Sequence, residues 1–360
     1  MKKSLILAFL FASLISCAPK SGNNAAPISQ TETDDVCDTT LSKKGIYYWK
    51  TVFSLNDHEK EFLQKHDISR LYIRLFDVAL QNQNATDTLA LVPVGTIQFK
   101  DQVPEHMEVI PTVYITYESL RQLDAMSYNE CDSYIERIIR RVENMVSFHE
   151  LPNVKEVQFD CDWTESTHWT YRHICEAAKN RLNSKDIKFS ITLRLHQMDD
   201  YYQMPADRGV LMLYNTGSFK NPNVTNSILT YNDAEPYIRK HCIEYPVDYA
   251  YPTYSWNLLY RDNEFKCIIR NIDVNDTNLY QKIDYNKYKV TKATTAGDIR
   301  LEKGDIIRHE TSEFKEIERV KSDLSRKHNM KNSRQIIYHL DSTNLSNYTN
   351  DEIEYMLMAY

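Results

Sequence analysis

The feature that most constrains the fold is a recurrence. Eight runs rich in apolar, β-branched and aromatic residues return along the chain: 45–51 (GIYYWKT), 70–77 (RLYIRLFD), 109–116 (VIPTVYIT), 154–163 (VKEVQFDCDW), 188–196 (KFSITLRLH), 209–216 (GVLMLYNT), 247–256 (VDYAYPTYSW) and 335–341 (QIIYHLD). Their length and composition are those of β-strands. Helical segments are expected between several of them, at 56–66, 133–149, 167–182 and 233–242. The second of these carries Ile135, Ile138, Ile139, Val142, Met145 and Val146 at the 3–4 spacing that makes one apolar stripe. A last helix opens at Thr349, with Glu352 placed for a capping box. Strands alternating with helices predict a parallel sheet with right-handed crossovers, and eight such units predict a (β/α)8 TIM barrel over 45–360. A doubly wound open sheet is the weaker alternative. It wants a Gly-rich phosphate loop after the first strand, and this chain has only seven glycines.

One stretch, 262–334, breaks the repeat. It is charged, has hairpin character over 287–310 with turn signals at Gly297 and Gly304, and ends in a helix bearing Phe314, Ile317, Val320 and Leu324. It reads as an insertion after the seventh strand. There it leaves the barrel at the end where the loops after strands gather, either walling a cleft or packing as an appendage.

The N-terminal end is a different matter. Lys2 and Lys3 precede an apolar run at 5–15 that is too short to cross a bilayer, which is the pattern of a signal peptide at 1–16. The sequence Leu14-Ile15-Ser16-Cys17 resembles a bacterial lipobox. That resemblance implies cleavage before Cys17 and acyl chains of the palmitate kind on it. The protein would then be lipid-anchored in the bacterial cell envelope, at the outer membrane or cell surface, because multiple acyl chains make a stable anchor. Residues 17–44 are rich in Ser, Asn, Thr and Asp and read as a flexible tether. Loss of the leader takes the formal charge from -7 to -9, which argues against a nucleic-acid partner. The seven cysteines show no Cys-x-x-Cys pair of the zinc type. Cys161 and Cys175 fall on a strand and a helix that should pack together, and sequence alone does not assign a disulfide to them.

Function is read from the fourth strand, VQFDCDWTES at 157–166. Side chains alternate along a strand, so Gln158, Asp160, Asp162 and Thr164 share one face and Phe159, Cys161 and Trp163 the other. The apolar face meets the helices and the polar face points into the barrel, at the end where barrel enzymes place their chemistry. Other strands offer polar groups at matching height: Arg74, Arg194, His196, Tyr214, Asn215, Tyr254, Trp256, His339 and Asp341, with Trp49 at the end of the first. Buried carboxylates must be paired, hydrogen-bonded or protonated. Either Arg74 and Arg194 neutralise the aspartates structurally, or the two like charges drive one pKa up and make a general acid.

The fourth-strand pattern resembles the D-G-x-D-x-D-x-E signature of family-18 glycoside hydrolases, the chitinases and their relatives. Tyr214-Asn215 is similar to that family's Tyr-Asp pair, and Tyr254-Ser255-Trp256 to its aromatic strand-seven end. The resemblance implies a TIM barrel and substrate-assisted cleavage, in which an N-acetyl group attacks while a terminal Glu protonates the leaving oxygen. Two alignments stay open. One sets Asp160 and Asp162 on the last two aspartates and leaves Thr164, with Glu165 one place late, at the catalytic Glu. The other shifts by two and makes Asp162 the acid. The chain is also similar to an uncharacterised bacterial lipoprotein family with an acid pair on strand four. The expected function is an envelope-anchored glycoside hydrolase-like protein, with Asp160, Asp162, Glu165 and Tyr214 as catalytic candidates and a glycan as partner. The alternative is a non-catalytic glycan-binding or structural lipoprotein. No cofactor is expected, although a metal held by Asp160, Asp162 and His339 stays open.

Overall fold

The computed structural model describes residues 43–83, 88–198, 204–240, 246–270 and 272–359. The expected signal peptide, Cys17 and nearly all of the tether lie outside the described residues.

Eight parallel strands form a closed ring: β1 Lys44–Tyr48, β2 Arg70–Gln83, β3 Glu108–Ile115, β4 Glu156–Cys161, β5 Lys188–Arg194, β6 Arg208–Met212, β7 Val247–Pro252 and β8 Gln335–Tyr338. β1 pairs with β2 through Gly45–Arg70 and with β8 through Lys44–Gln335, which closes the barrel. Each strand falls on one of the eight apolar runs, because strands buried on both faces have no polar alternation to disguise them. The helices α1 Asp57–Lys65, α2 Tyr117–Asp124, α3 Tyr128–Phe148, α4 His168–Asn183, α5 Tyr231–Lys240, α6 Phe314–Lys327, α7 Ser342–Leu345 and α8 Asn350–Leu357 follow the strands. Asn56, Ser127 and Thr349 close capping boxes on α1, α3 and α8. Among the described residues, the connections after β2 and β5 contain no α-helix. After β2 the chain returns as a strand, Thr88–Val94, antiparallel to the outer half of β2; after β5 it makes a 3-10 turn, Leu195–Gln197.

The interior is polar and layered. At the N-terminal end, Arg334 donates to Glu156 (2.7 Å) and Arg208 to Asp248 (2.8 Å). Above them the Tyr47 hydroxyl donates to Gln158 (2.7 Å). The aspartates occupy the layer above that.

The insertion is narrower than 262–334. The run 247–256 is two strands. β7 stops at Pro252, and Ser255–Arg261 begins a five-stranded antiparallel sheet that ends with Ile306–Thr311. This sheet encloses its own apolar cluster, which includes Leu259, Val290, Leu301 and Ile307. The helix after it, α6, is part of the barrel: Ile317, Val320 and Leu324 are buried in the main core. Its buried Lys321 donates to the carbonyls of Met356 (2.7 Å) and Met358 (2.8 Å), tying down the end of α8.

Candidate active site

β4 delivers the acids. Asp160 lies at the top of the barrel interior and is 4% exposed. The Thr192 hydroxyl, one strand over on β5, donates to its Oδ1 at 2.5 Å, and Arg194 Nη2 approaches at 3.4 Å. Asp162 follows two residues later on the same side and opens outward, its side chain 44% exposed, with Arg194 Nε against its Oδ1 at 2.5 Å. Arg194 therefore bridges both carboxylates. Burial raises the pKa of Asp160; Arg194 and the Thr192 hydroxyl pull it down, the charge of Asp162 pushes it up, and the balance is upward. Burial works against the charge of Arg194, but the two aspartates outweigh it and its pKa rises.

Arg74 takes no part in neutralising the aspartates. A bulge in β2 between Arg74 and Phe76 shifts the side-chain phase, so Arg74 and Asp77 face the same way despite their odd spacing. They form a two-pronged ion pair at 2.6 and 3.0 Å. Gly95 lets the chain leave the return strand close by: its φ is +56°, and a Cβ there would sit 2.6 Å from Arg74 Nη2.

Tyr214 continues the site from β6. Its ring stacks on Tyr338 at 4.7 Å, and its hydroxyl donates to the Met212 sulfur. Asn215 holds a left-handed backbone (φ +56°), a conformation Asn tolerates well, and its Oδ1 accepts from the Tyr254 hydroxyl at 2.6 Å. Asp162, Arg194, His196, Tyr214, Asn215 and Tyr237 line a cavity of about 190 Å³. His196 is exposed on the turn Leu195–Gln197 rather than in line on β5.

Other expected site residues do other work. Glu165 opens a 3-10 turn, is exposed, and bonds to neither aspartate. The chain does not bend it inward; it straightens at Thr164 (φ -123°, ψ 171°) and turns outward. Asp341 is the N-cap of α7, accepting from the Asn344 amide at 3.0 Å. His339, mostly buried, is set apart from the acids; burial lowers its pKa, with Asp341 and Lys50 as its charged neighbours. Among the described residues, no three His, Cys, Asp or Glu side chains converge to hold a metal, so the grouping of Asp160, Asp162 and His339 is not formed. Cys161 and Cys175 are buried free thiols.

Trp49 packs between Tyr47 and Tyr338 (5.8 and 5.7 Å), with the Arg74 guanidinium 5.7 Å from its ring. Trp256 Nε1 donates to Glu310 at 2.6 Å; that buried carboxylate also takes Ser227 Oγ (2.6 Å) and pairs with Arg308 (2.6 Å). Trp256 is thus first a donor to a buried charge. Replacing Trp256 with Phe removes that donor and is expected to cost about 1.5–3 kcal/mol in urea unfolding; a loss below about 0.5 kcal/mol would show the bond to be dispensable.

Tyr338 and Tyr114 are the residues that sequence reasoning missed. Tyr338 ends β8 with its ring among Tyr47, Trp49, Tyr214 and Tyr254. Tyr114, on β3, is half-buried, and its pKa is raised by burial and then by Asp162 and Asp160. Both lie in phase with inward neighbours, Ile336 and Thr112, which was the available signal.

Neither a protein-family model nor a curated protein matches the sequence. Solved structures do. The spore cortex-lytic enzyme SleL of Bacillus megaterium QM B1551 matches at a TM-score of 0.50 and 13% identity, covering 83% of this chain and 70% of that one. A chitinase from Chromobacterium violaceum ATCC 12472 matches at 0.49 and 10%, covering 88% and 98%. A family-18 N-acetylglucosaminidase from Paenibacillus barengoltzii matches at 0.47 and 11%, covering 87% and 99%. At such identities the likeness is one of fold. This chain is a (β/α)8 barrel, a fold it shares with SleL.

Proposed function

We propose that this chain is an envelope-anchored, glycoside hydrolase-like protein that cleaves a glycan with Asp162 as the proton donor. The observation that carries the reading is the position of Asp162. One residue past the end of β4 its carboxylate reaches the cavity at the barrel mouth, while Asp160, two residues earlier, is buried in the barrel. Two carboxylates share one guanidinium, so the cluster has excess negative charge. Within it the pKa of Asp160 is raised, first by burial and then by the charge of Asp162. Asp162 is the carboxyl of the pair that lines the cavity. Of the two alignments with the family-18 signature, this supports the one that makes Asp162 the acid, since Glu165 faces away. Tyr214 and Asn215 are placed to steady the reacting sugar. Glycans containing N-acetylhexosamine are the first candidates, because the barrels of like fold include chitinases and a spore cortex-lytic enzyme. The lipid anchor at Cys17 is part of the same proposal.

A second reading, glycan binding without cleavage, draws on the hold that Arg194 has on both acids and on the exposed position of Glu165 on the 3-10 turn. A glycan library incubated with the mature chain separates the two. The proposal expects new reducing ends from at least one N-acetylated oligosaccharide. Retention of glycan with no new reducing ends favours the second reading.

A further inference from the structure

The outer surface of the barrel carries a second, unrelated site. In a (β/α)8 barrel a crossover helix covers the outside of each strand. β2 has none of its own among the described residues, only the returning strand Thr88–Val94. The outward side chains of β2, Phe76 and Val78, are instead overlaid by the flank of α3, and the fit is incomplete. A groove of about 710 Å³ remains, far larger than the cavity beside the acids. Its walls are apolar: Phe76, Val78, Leu91, Pro93, Ile138 and Met145.

Its rim is cationic. Arg137, Arg140 and Arg141 project from one side of α3, and among the described residues no acid lines the groove. The guanidinium of Arg137 lies 5.2 Å from the Tyr134 ring, and that of Arg141 lies 5.0 Å from the Phe76 ring while donating to Thr96 Oγ1 at 3.0 Å. None of the three pairs with a carboxylate among the described residues. They put a local excess of positive charge on a chain of formal charge -7. At one end Phe148 stands 81% exposed. Apolar walls with a few convergent charged groups describe a ligand site, and the charges specify its occupant.

We propose that this groove binds an anionic amphiphile, a single molecule with an alkyl tail and a negatively charged head. The tail lies along Leu91, Pro93 and Phe148, above the buried floor of Phe76 and Val78, and the head is held by Arg137 and Arg140. The proposal does not depend on what the barrel mouth does.

The test is titration calorimetry of the full chain with dodecyl phosphate below its micellar concentration. Dodecanol and inorganic phosphate serve as the tail and the head alone. Dodecyl phosphate is expected to bind at one site, and each half alone to bind at least about tenfold more weakly. The double variant Arg137→Glu/Arg140→Glu is expected to weaken dodecyl phosphate about tenfold or more. Both arginines are exposed, so this variant should keep its circular dichroism spectrum and melting temperature. A second variant, Leu91→Ser, at a half-buried wall of the groove, keeps the charges and is expected to weaken binding through the tail. Unchanged affinity in the double variant overturns the proposal. So does binding of phosphate as tight as that of dodecyl phosphate. Pelleting with anionic vesicles without binding of monomeric amphiphile also overturns it, in favour of a membrane-facing surface.

Discussion

Replacing Arg194 with Met is expected to destabilise the barrel by roughly 3 kcal/mol near neutral pH, and the loss should shrink as the pH falls. Removing one partner of a buried ion pair costs about 3–5 kcal/mol, because the other charge is left unpaired in a poor solvent for ions. The lower end applies here, since Asp162 is partly open to water and water can take over part of the role of the guanidinium. Asp160 is the costly half: it is 4% exposed and keeps only the Thr192 hydroxyl. The pH dependence follows from the direction of its shift. The pKa of Asp160 is already raised in the folded chain, and Arg194 is the strongest influence pulling it down. Without Arg194 it rises further. A carboxyl whose folded pKa exceeds its unfolded one, about 3.9, contributes stability that is present below the unfolded value and lost as the pH rises through the folded value. Urea unfolding at about pH 7 and about pH 4 checks this. The gap between wild type and variant should narrow on acidification. A gap independent of pH would mean that Arg194 acts by packing and not by compensating the acids.

The barrel was legible in the sequence and the site only in part, for one physical reason. The eight strands are buried on both faces and rich in apolar, β-branched and aromatic residues, so they announce themselves as runs whatever their exact ends. The side-chain phase that places Asp160 and Arg194 is assured only while the strand lasts; Asp162 and Tyr214 keep it one and two residues past the ends of β4 and β6. β8 ends at Tyr338, so alternation carried on to His339 and Asp341 selected a residue set apart from the acids and a helix cap, and passed over Tyr338 itself. β5 ends at Arg194, so His196 lies on a turn. β4 ends at Cys161, just before Asp162, and Glu165 falls where the chain has begun the 3-10 turn into α4. The bulge in β2 is invisible to a count of alternating residues, yet it brings Arg74 and Asp77 together and leaves Arg194 as the cation bridging the two acids. Trp256 shows the same limit in another form. Its run continues past Pro252 without a break in composition, although the chain has already passed from the barrel to the inserted sheet.

The central claim is that the carboxyl of Asp162 supplies the proton for glycosidic cleavage. Asp162→Asn tests it most directly, because Asn has the same shape and its Oδ1 still accepts from Arg194, so the mouth of the barrel should keep its form. The measurement is sugar release from a glycan that the wild-type chain cleaves, with binding of the same glycan measured in parallel. A positioned general acid contributes about 10²- to 10⁴-fold to rate. Release should fall by about that factor in Asp162→Asn while the dissociation constant stays within about twofold. Release that continues at the wild-type rate, or a wild-type chain that binds N-acetylated glycans and cleaves none, would contradict the account.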